Sequence, residues 1–270
     1  MSHCTLVAVD VGNARIKLGL FAGSCAAGVA EPLRTLSLVD DAPQFEQLPP
    51  WLAEKAQAEL AWWIASVNRS AATGLIDWLS THRPQDRITL LAAGDLPLEV
   101  RLERPDMVGI DRLVDAVAVN RLRDAARPAV IVDVGTAITV DLLSADGAFC
   151  GGAILPGIAM SARALHTFTD LLPLVDVSEL TAPPPALGAA TVPAIESGLF
   201  WGSVGAIRQL IEQLQRAAGD GGRDEADVFL AGGAAESVAE LLGPHARYVP
   251  NLTLLGIALA AKDCKTLPRR

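Results

Sequence analysis

Val7-Ala-Val-Asp10-Val-Gly-Asn-Ala14 and Val130-Ile-Val-Asp133-Val-Gly-Thr-Ala137 are nearly the same phrase, written twice in one chain. Six of the eight positions are identical at a constant offset of 123, close to half of the 270 residues. Each run of β-branched residues reads as a buried strand, and each Asp-Val-Gly as a tight turn. The sequence becomes strand-like again after each turn, in Arg15-Ile-Lys-Leu-Gly-Leu-Phe21 and Ile138-Thr-Val-Asp-Leu-Leu143. Each half therefore opens with a β-hairpin that carries an acid at its turn. The offset is far too long for a solenoid repeat, so two duplicated domains are the expectation.

What flanks the hairpins agrees. In the first half the pattern predicts a helix over 41–57, a buried strand over 61–67, a helix over 71–81 and a strand over 87–92. Residues 110–123 form an amphipathic helix with Leu113, Val114, Val117 and Arg121 along one side. In the second half, helices are expected over 157–168, 192–216, 234–242 and 252–262, with a short strand over 227–231. Strands alternating with helices, twice over, give an α/β protein of two related domains, 1–125 and 126–270, joined near 123–128. Residues 92–108 and the Pro-rich 173–190 read as loops.

Composition narrows the functional classes. The net charge of −9 is unfavourable for nonspecific binding to nucleic acid or an anionic membrane. No apolar run reaches the ~20 residues that span a bilayer, and the first residues lack a secretory pattern. The four cysteines form no CxxC pair, so neither a zinc site nor a disulfide framework is indicated. Reduced thiols in a cytoplasmic protein are expected. His3, His82, His166 and His245 are scattered and have no partner at ligand spacing.

A carboxylate beside a glycine turn at a strand's end suits phosphate chemistry. Glycine lets backbone N–H groups approach phosphate oxygens, and the carboxylate holds Mg²⁺ or its water shell. Asp10, Gly12, Asn13 and Lys17 would form one grip, and Asp133, Gly135 and Thr136 the other. Either turn alone is ordinary hairpin punctuation; two at matching places in a duplicated chain favour a site. No GxxxxGK[ST] segment is present, so a P-loop is not indicated. Gly109-Ile-Asp111-Arg112 opens the 110–123 helix. An acid there is commonly just a first-turn residue, but the adjacent Arg adds a cation that could hold an acidic substrate. The carboxylate could accept a hydroxyl proton. Asp115, one turn on, is expected to be solvated.

In order, Asp10-Val-Gly-Asn13, Gly109-Ile-Asp-Arg112, Asp133-Val-Gly-Thr-Ala137 and Gly151-Gly-Ala-Ile-Leu-Pro-Gly157 resemble the motif series of type III (CoaX-type) pantothenate kinases. Leu172-Pro173, Gly188-Ala-Ala-Thr191, Glu196-Ser-Gly198, Ala231-Gly-Gly233 and Leu254-Leu-Gly256 extend the resemblance from about residue 5 to about residue 260. The family implies an acetate-and-sugar-kinase/Hsp70/actin-type fold, with two duplicated ribonuclease-H-like (actin-like ATPase) domains and a cleft between them. It implies transfer of the ATP γ-phosphoryl group to the primary hydroxyl of pantothenate, with Mg²⁺ and a monovalent cation, K⁺ or NH₄⁺, in a homodimer.

Carried over by motif, Asp111 matches the general base, and Gly109, Ile110 and Arg112 complete the pantothenate-binding segment. Asp10, Val11, Gly12, Asn13, Ala14, Arg15, Ile16 and Lys17 match the ATP phosphate-binding turn, with Asp10 near Mg²⁺. Asp133 matches the monovalent-cation ligand, and Thr136 an ATP contact. Thr191 matches a threonine that reaches pantothenate from the neighbouring subunit. Two departures stand out: Ala14 where the family has Thr or Ser, and Leu102 where it often has Tyr. They keep two alternatives open, another small-molecule kinase of the superfamily and a non-catalytic regulator with the same fold.

Overall fold

The computed structural model describes residues 5–22, 31–39, 43–55, 57–177, 180, 182–218, 226–233 and 235–263. The basic tail 265–270, His3, Cys4, Cys25 and Cys264 lie outside them. In chain order the elements are β1 (Thr5–Val11), β2 (Arg15–Phe21), β3 (Arg34–Val39), α1 (Leu48–Leu52), β4 (Leu60–Ser66), α2 (Arg69–His82), β5 (Arg87–Leu90) and α3 (Ile110–Leu122). They continue with β6 (Ala129–Val134), β7 (Ala137–Leu143), β8 (Phe149–Pro156), α4 (Ile158–Thr167), α5 (Thr191–Ala217), β9 (Asp227–Ala231), α6 (Ala235–Leu242), β10 (Ala246–Tyr248) and α7 (Leu252–Asp263). The chain divides into two compact units, one of residues 1–122 with 251–270 and one of residues 123–250.

Both units repeat one plan. The first sheet runs β3-β2-β1-β4-β5, and the second, read from its other edge, β8-β7-β6-β9-β10. In each, three antiparallel strands in hairpin succession are extended by two parallel ones. The echo in the sequence is thus an echo in topology.

Period-two alternation sorts each strand's side chains between faces. In β1, Val7, Val9 and Val11 join Ile16, Leu18 and Leu20 of β2 in a core closed by Ala72, Leu75 and Leu79 of α2. In the second unit, Val130, Val132 and Val134 do the same with Ile138 and Val140 under Phe200, Val204, Ile207 and Ile211 of α5. Asp10 and Asp133 fall at the opposite parity, so both point away from these cores. In the first unit that opposite face carries α3 and α7, which pack on each other and on β1 and β4.

Three expectations are corrected. The helix predicted over 41–57 is broken: α1 has five residues between two short 3₁₀ turns. Pro49 and Pro50 are tolerated only in a helix's first turn, and Ala53 at φ 47° ends it. The division at 125/126 put the last helix with the second domain, whereas α7 belongs to the first unit. Its residues 252–258 are buried without interruption, so it is a core helix with no solvent face over that stretch. Gly256 lets it press against the carbonyl of Val114 on α3, and Leu254 reaches the space beside Gly19 on β2. Asp115 is the third correction: it is buried in α3, 3% exposed, not solvated.

Candidate active site

In the first unit the β1–β2 turn, the end of β4 and the start of α3 lie near one another. Val11 pairs with Ile16, so the turn has four residues, 12–15, and the Gly12 N–H donates to the Arg15 carbonyl at 3.0 Å. Asp10, buried, sits directly across from Lys17 in the antiparallel register. That pairing places an acid and a base side by side on the face that bears α3. Asn13, Ala14 and Arg15 are exposed at the tip. Next to β1, the Val67 N–H donates to the Val11 carbonyl at 3.0 Å. Asn68 then caps α2, its Oδ1 accepting from the Ala71 N–H at 3.2 Å.

Gly109 and Asp111 complete this end. A side chain on Gly109 would meet Val67 Cγ1 at 3.6 Å and would also run into Asp111 Oδ1. The Asp111 carboxylate therefore lies over a residue that has nothing to obstruct it. Its Oδ1 accepts the Arg112 N–H at 2.8 Å, in the first turn of α3, where amides lack an intrahelical acceptor. The helix start thus orients the carboxylate. Ile110 is buried, and Asp111 and Arg112 are half-buried. Upstream, half-buried Leu102 lies between two exposed ion pairs, Arg101 with Glu99 (2.8 Å) and Arg104 with Asp106 (2.7 Å). The guanidinium of Arg104 holds the Asp106 carboxyl below its ordinary range.

In the second unit Val134 pairs with Ile138, so this turn is one residue shorter: 135–137, with the Gly135 N–H donating to the Ala137 carbonyl at 3.0 Å. The Gly157 N–H, at the cap of α4, donates to the Thr136 carbonyl at 3.1 Å. Gly232, at φ +101°, follows β9, whose Ala231 pairs with Asp133. A Cβ on Gly232 would meet Asp133 Oδ1 and the Val134 carbonyl, so two oxygens face that one glycine. Asp133 and Thr136 are half-buried. Sequence reading gave Gly157 and Gly232 as parts of motifs without this role. The available signal was a glycine directly after a strand in each case.

Thr191 opens α5 and is exposed. Within the first unit the structure links the β1–β2 turn to Gly109 through Val67, which bonds the Val11 carbonyl and faces Gly109; within the second it brings Gly135 and Thr136 to Gly157 and Asp133 to Gly232. His166 is exposed on α4 with Nδ1 at 2.9 Å from the Leu172 carbonyl. Among the described residues no cluster of three His, Cys, Asp or Glu side chains could hold a metal ion. No described helix is long and apolar enough to cross a membrane.

A doubled sheet of this order, with a carboxylate at the first hairpin turn of each half, defines an α/β protein of the actin-like ATPase and sugar-kinase fold. Solved structures agree on the fold. A Campylobacter jejuni protein assigned to the Baf family of transcriptional activators superposes with a TM-score of 0.60 at 19% identity, covering 97% of this chain and 100% of that one. A Sinorhizobium meliloti protein assigned as a 2-dehydro-3-deoxygalactonokinase gives 0.53 at 17%, covering 97% and 100%. The family model for type III pantothenate kinase matches residues 6–213. The type III pantothenate kinase of Paramagnetospirillum magneticum is 34% identical over 260 residues, 93% of this chain and 95% of that protein. The chain belongs to the type III pantothenate kinase family, whose members are ATP-dependent kinases.

Proposed function

We propose that the chain phosphorylates pantothenate, moving the γ-phosphoryl group of ATP to its primary hydroxyl to give 4′-phosphopantothenate, the first step of coenzyme A synthesis. The observation that carries this reading is the family match over residues 6–213, which spans Asp10, Asp111, Arg112 and Asp133. In this reading Asp111 is the general base. Its Oδ1 is engaged by the Arg112 N–H, and Oδ2 takes the hydroxyl proton as the substrate oxygen attacks the γ-phosphorus and the bond to the ADP oxygen breaks. The Arg112 guanidinium holds the pantothenate carboxylate, with Gly109 and Ile110 shaping the pocket and Thr191 reaching pantothenate from a partner copy. Asp10 to Lys17 and Thr136 bind ATP, where backbone N–H groups and the Lys17 cation neutralise phosphate charge.

The residues fit the ions the family uses. A divalent ion held by phosphate oxygens and the single carboxylate of Asp10 suits this chain better than an all-protein cage, since no cluster of three acids, His or Cys occurs among the described residues. Mg²⁺ bound there supplies further charge neutralisation on the phosphates. A carboxylate and a backbone carbonyl facing Gly232 form an oxygen donor set suited to K⁺ or NH₄⁺ at Asp133.

A homodimer belongs to the same proposal. Phe168 (84% exposed), Leu171 (88%) and Leu187 (87%) are large apolar side chains in solvent, with Leu174 and Val192 also exposed. A cytoplasmic location follows from the substrate, and the acidic net charge supports the absence of nucleic acid as a partner. The test is ATP-dependent phosphorylation of pantothenate by the purified protein with Mg²⁺, in potassium or ammonium buffer against sodium buffer. Turnover that needs potassium or ammonium is expected. No turnover in any buffer, from a folded dimer, would overturn the reading.

A further inference from the structure

The Pro-rich segment 182–190 lies along the first turns of α5 in a regular way. Trp201 Nε1 donates to the Pro184 carbonyl at 3.0 Å. One helical turn earlier, Ser197 Oγ donates to the Ala186 carbonyl at 2.7 Å. A turn earlier again, Gly188 abuts the backbone of Pro193 and Ala194, where a side chain would collide with both. Helix positions 194, 197 and 201 share one stripe, and strap positions 188, 186 and 184 alternate as in an extended chain. The strap therefore runs antiparallel to the helix and is fastened at each step. Ser197 is only 7% exposed, and the strap's Ala186 carbonyl gives its hydroxyl an acceptor in that buried position. Leu187, facing away from the helix, is exposed.

The strap ends at Ala190, and the next residue is Thr191. We infer that Ser197 and Trp201 are positioning residues: by latching the strap to α5 they fix the entry of the chain into the helix, and with it the placement of Thr191 against pantothenate. The inference rests on the reading of Thr191 given under the proposed function. It gives a task to the Glu196-Ser-Gly198 motif, whose serine touches neither hairpin turn in that reading. Gly188 acts with the two latches, because only a residue without a side chain lets the strap come this close. The prolines contribute by restricting the strap's backbone before it docks, which lowers the entropy lost on fastening.

The experiment compares Thr191→Ala, Ser197→Ala with Trp201→Phe as a double variant, Ser197→Thr, and Ser203→Ala as a control. Ser203 donates within α5, to the Leu199 carbonyl at 2.7 Å. Steady-state kinetics with pantothenate and with ATP are read beside cleavage of the folded protein at Leu187 by a protease selective for large apolar residues. The double variant should raise the KM for pantothenate roughly five- to tenfold, as expected for losing two neutral hydrogen bonds. The KM for ATP should be unchanged and cleavage at Leu187 faster. Ser197→Thr, which keeps the hydroxyl, and the control should behave as the parent. If Thr191→Ala raises the KM for pantothenate but the double variant does not, the latch is overturned and the role of Thr191 stands. If Thr191→Ala leaves that KM unchanged, the role of Thr191 fails and the inference falls with it.

Discussion

The indole N–H of Trp62 donates to Asp86 Oδ2 at 2.7 Å, joining the middle of a core strand to a carboxylate that is itself wholly buried. Asp86 also accepts the Leu60 N–H at 3.1 Å and is paired with Arg83. Arg83 in turn donates to the Ala58 carbonyl at 2.7 Å. Three groups, one from the loop before β4 and two from β4 itself, are thus closed around one charge pair in the α2–β5 turn. Removing one partner leaves an uncompensated buried charge, which costs about 3–5 kcal/mol. Asp86→Ala should lower the free energy of unfolding by that amount in denaturant titration, with turnover per folded molecule unchanged. A loss under 1 kcal/mol would show that the pair is not a structural fastening.

Gly232 and Gly233 are neighbours with opposite demands. Gly232 is at φ +101° with Asp133 Oδ1 and the Val134 carbonyl against it, while nothing lies within 4 Å of a side chain on Gly233. A left-handed non-glycine residue costs on the order of 1–3 kcal/mol before any collision is counted. Gly232→Ala should therefore reduce stability by at least that much and reduce turnover at least tenfold. Gly233→Ala should stay within about 0.5 kcal/mol of the parent. Thermal unfolding and kinetics on the pair decide it, and equal effects would remove the seating of Asp133 as the cause.

Asp111→Asn keeps the shape at the start of α3 while removing the base. Turnover should fall by about 10²–10⁴-fold, with the unfolding midpoint close to that of the parent. Near-normal turnover would take Asp111 out of that role. Gly109→Ala tests the same carboxylate from outside, because the new methyl group would displace it. It should lower kcat while leaving the KM for ATP unchanged.

Asp133→Ala separates ion dependence from overall activity. Stimulation by potassium or ammonium over sodium should be lost along with most of the turnover. Residual activity that still responds to potassium would place the ion elsewhere.

Exposed Leu171 reports on association. Leu171→Glu replaces one of the large exposed apolar side chains by a charge, and burying that charge in a subunit interface is unfavourable. Sedimentation should show a monomer or a weakened dimer with pantothenate turnover reduced in step. An unchanged dimer would exclude this surface.

The parts of the fold that declared themselves in the sequence are those governed by local pattern. The hairpins of β1–β2 and β6–β7, the helices α2, α4, α5 and α6 and the strands β4 and β9 follow the expected periods; α3 forms where expected, but it is buried without interruption over 113–119 and its Arg121 is exposed, so it is not the amphipathic helix the pattern predicted. Of the edge strands, β5 was expected over 87–92, whereas β3, β8 and β10 were not. β3 is largely exposed, and β8 contains Gly151, Gly152 and Pro156, residues that argue against a strand wherever both neighbours are needed. At a sheet edge the missing bonds carry no penalty, so topology overrides composition. Residues 41–57 misled because helix-forming residues surround two prolines that a helix admits only in its first turn. The burial of Asp115 and the assignment of α7 both depend on contacts between segments well over a hundred residues apart, α3 against α7, which no local pattern encodes. Of the candidate site, the acids were legible because the duplication marks them. Gly109, beside Asp111, was legible with its motif, whereas the roles of Gly157 and Gly232 at the second turn become readable only when backbones distant in sequence come together.

The attachment of α7 to the first unit sets an order for biosynthesis. The second unit is complete within residues 123–250, so everything it needs has been made once Pro250 clears the ribosome. The first unit begins the chain yet must wait for Leu252, Leu254, Leu255 and Ile257, each of which contributes about 1.5–3 kcal/mol on burial. Until then the face of its sheet that bears α3 and Asp10 lacks its last covering helix. The half that is translated first is therefore the half that matures last, and a chain interrupted before residue 252 would carry a finished second unit behind an open first one.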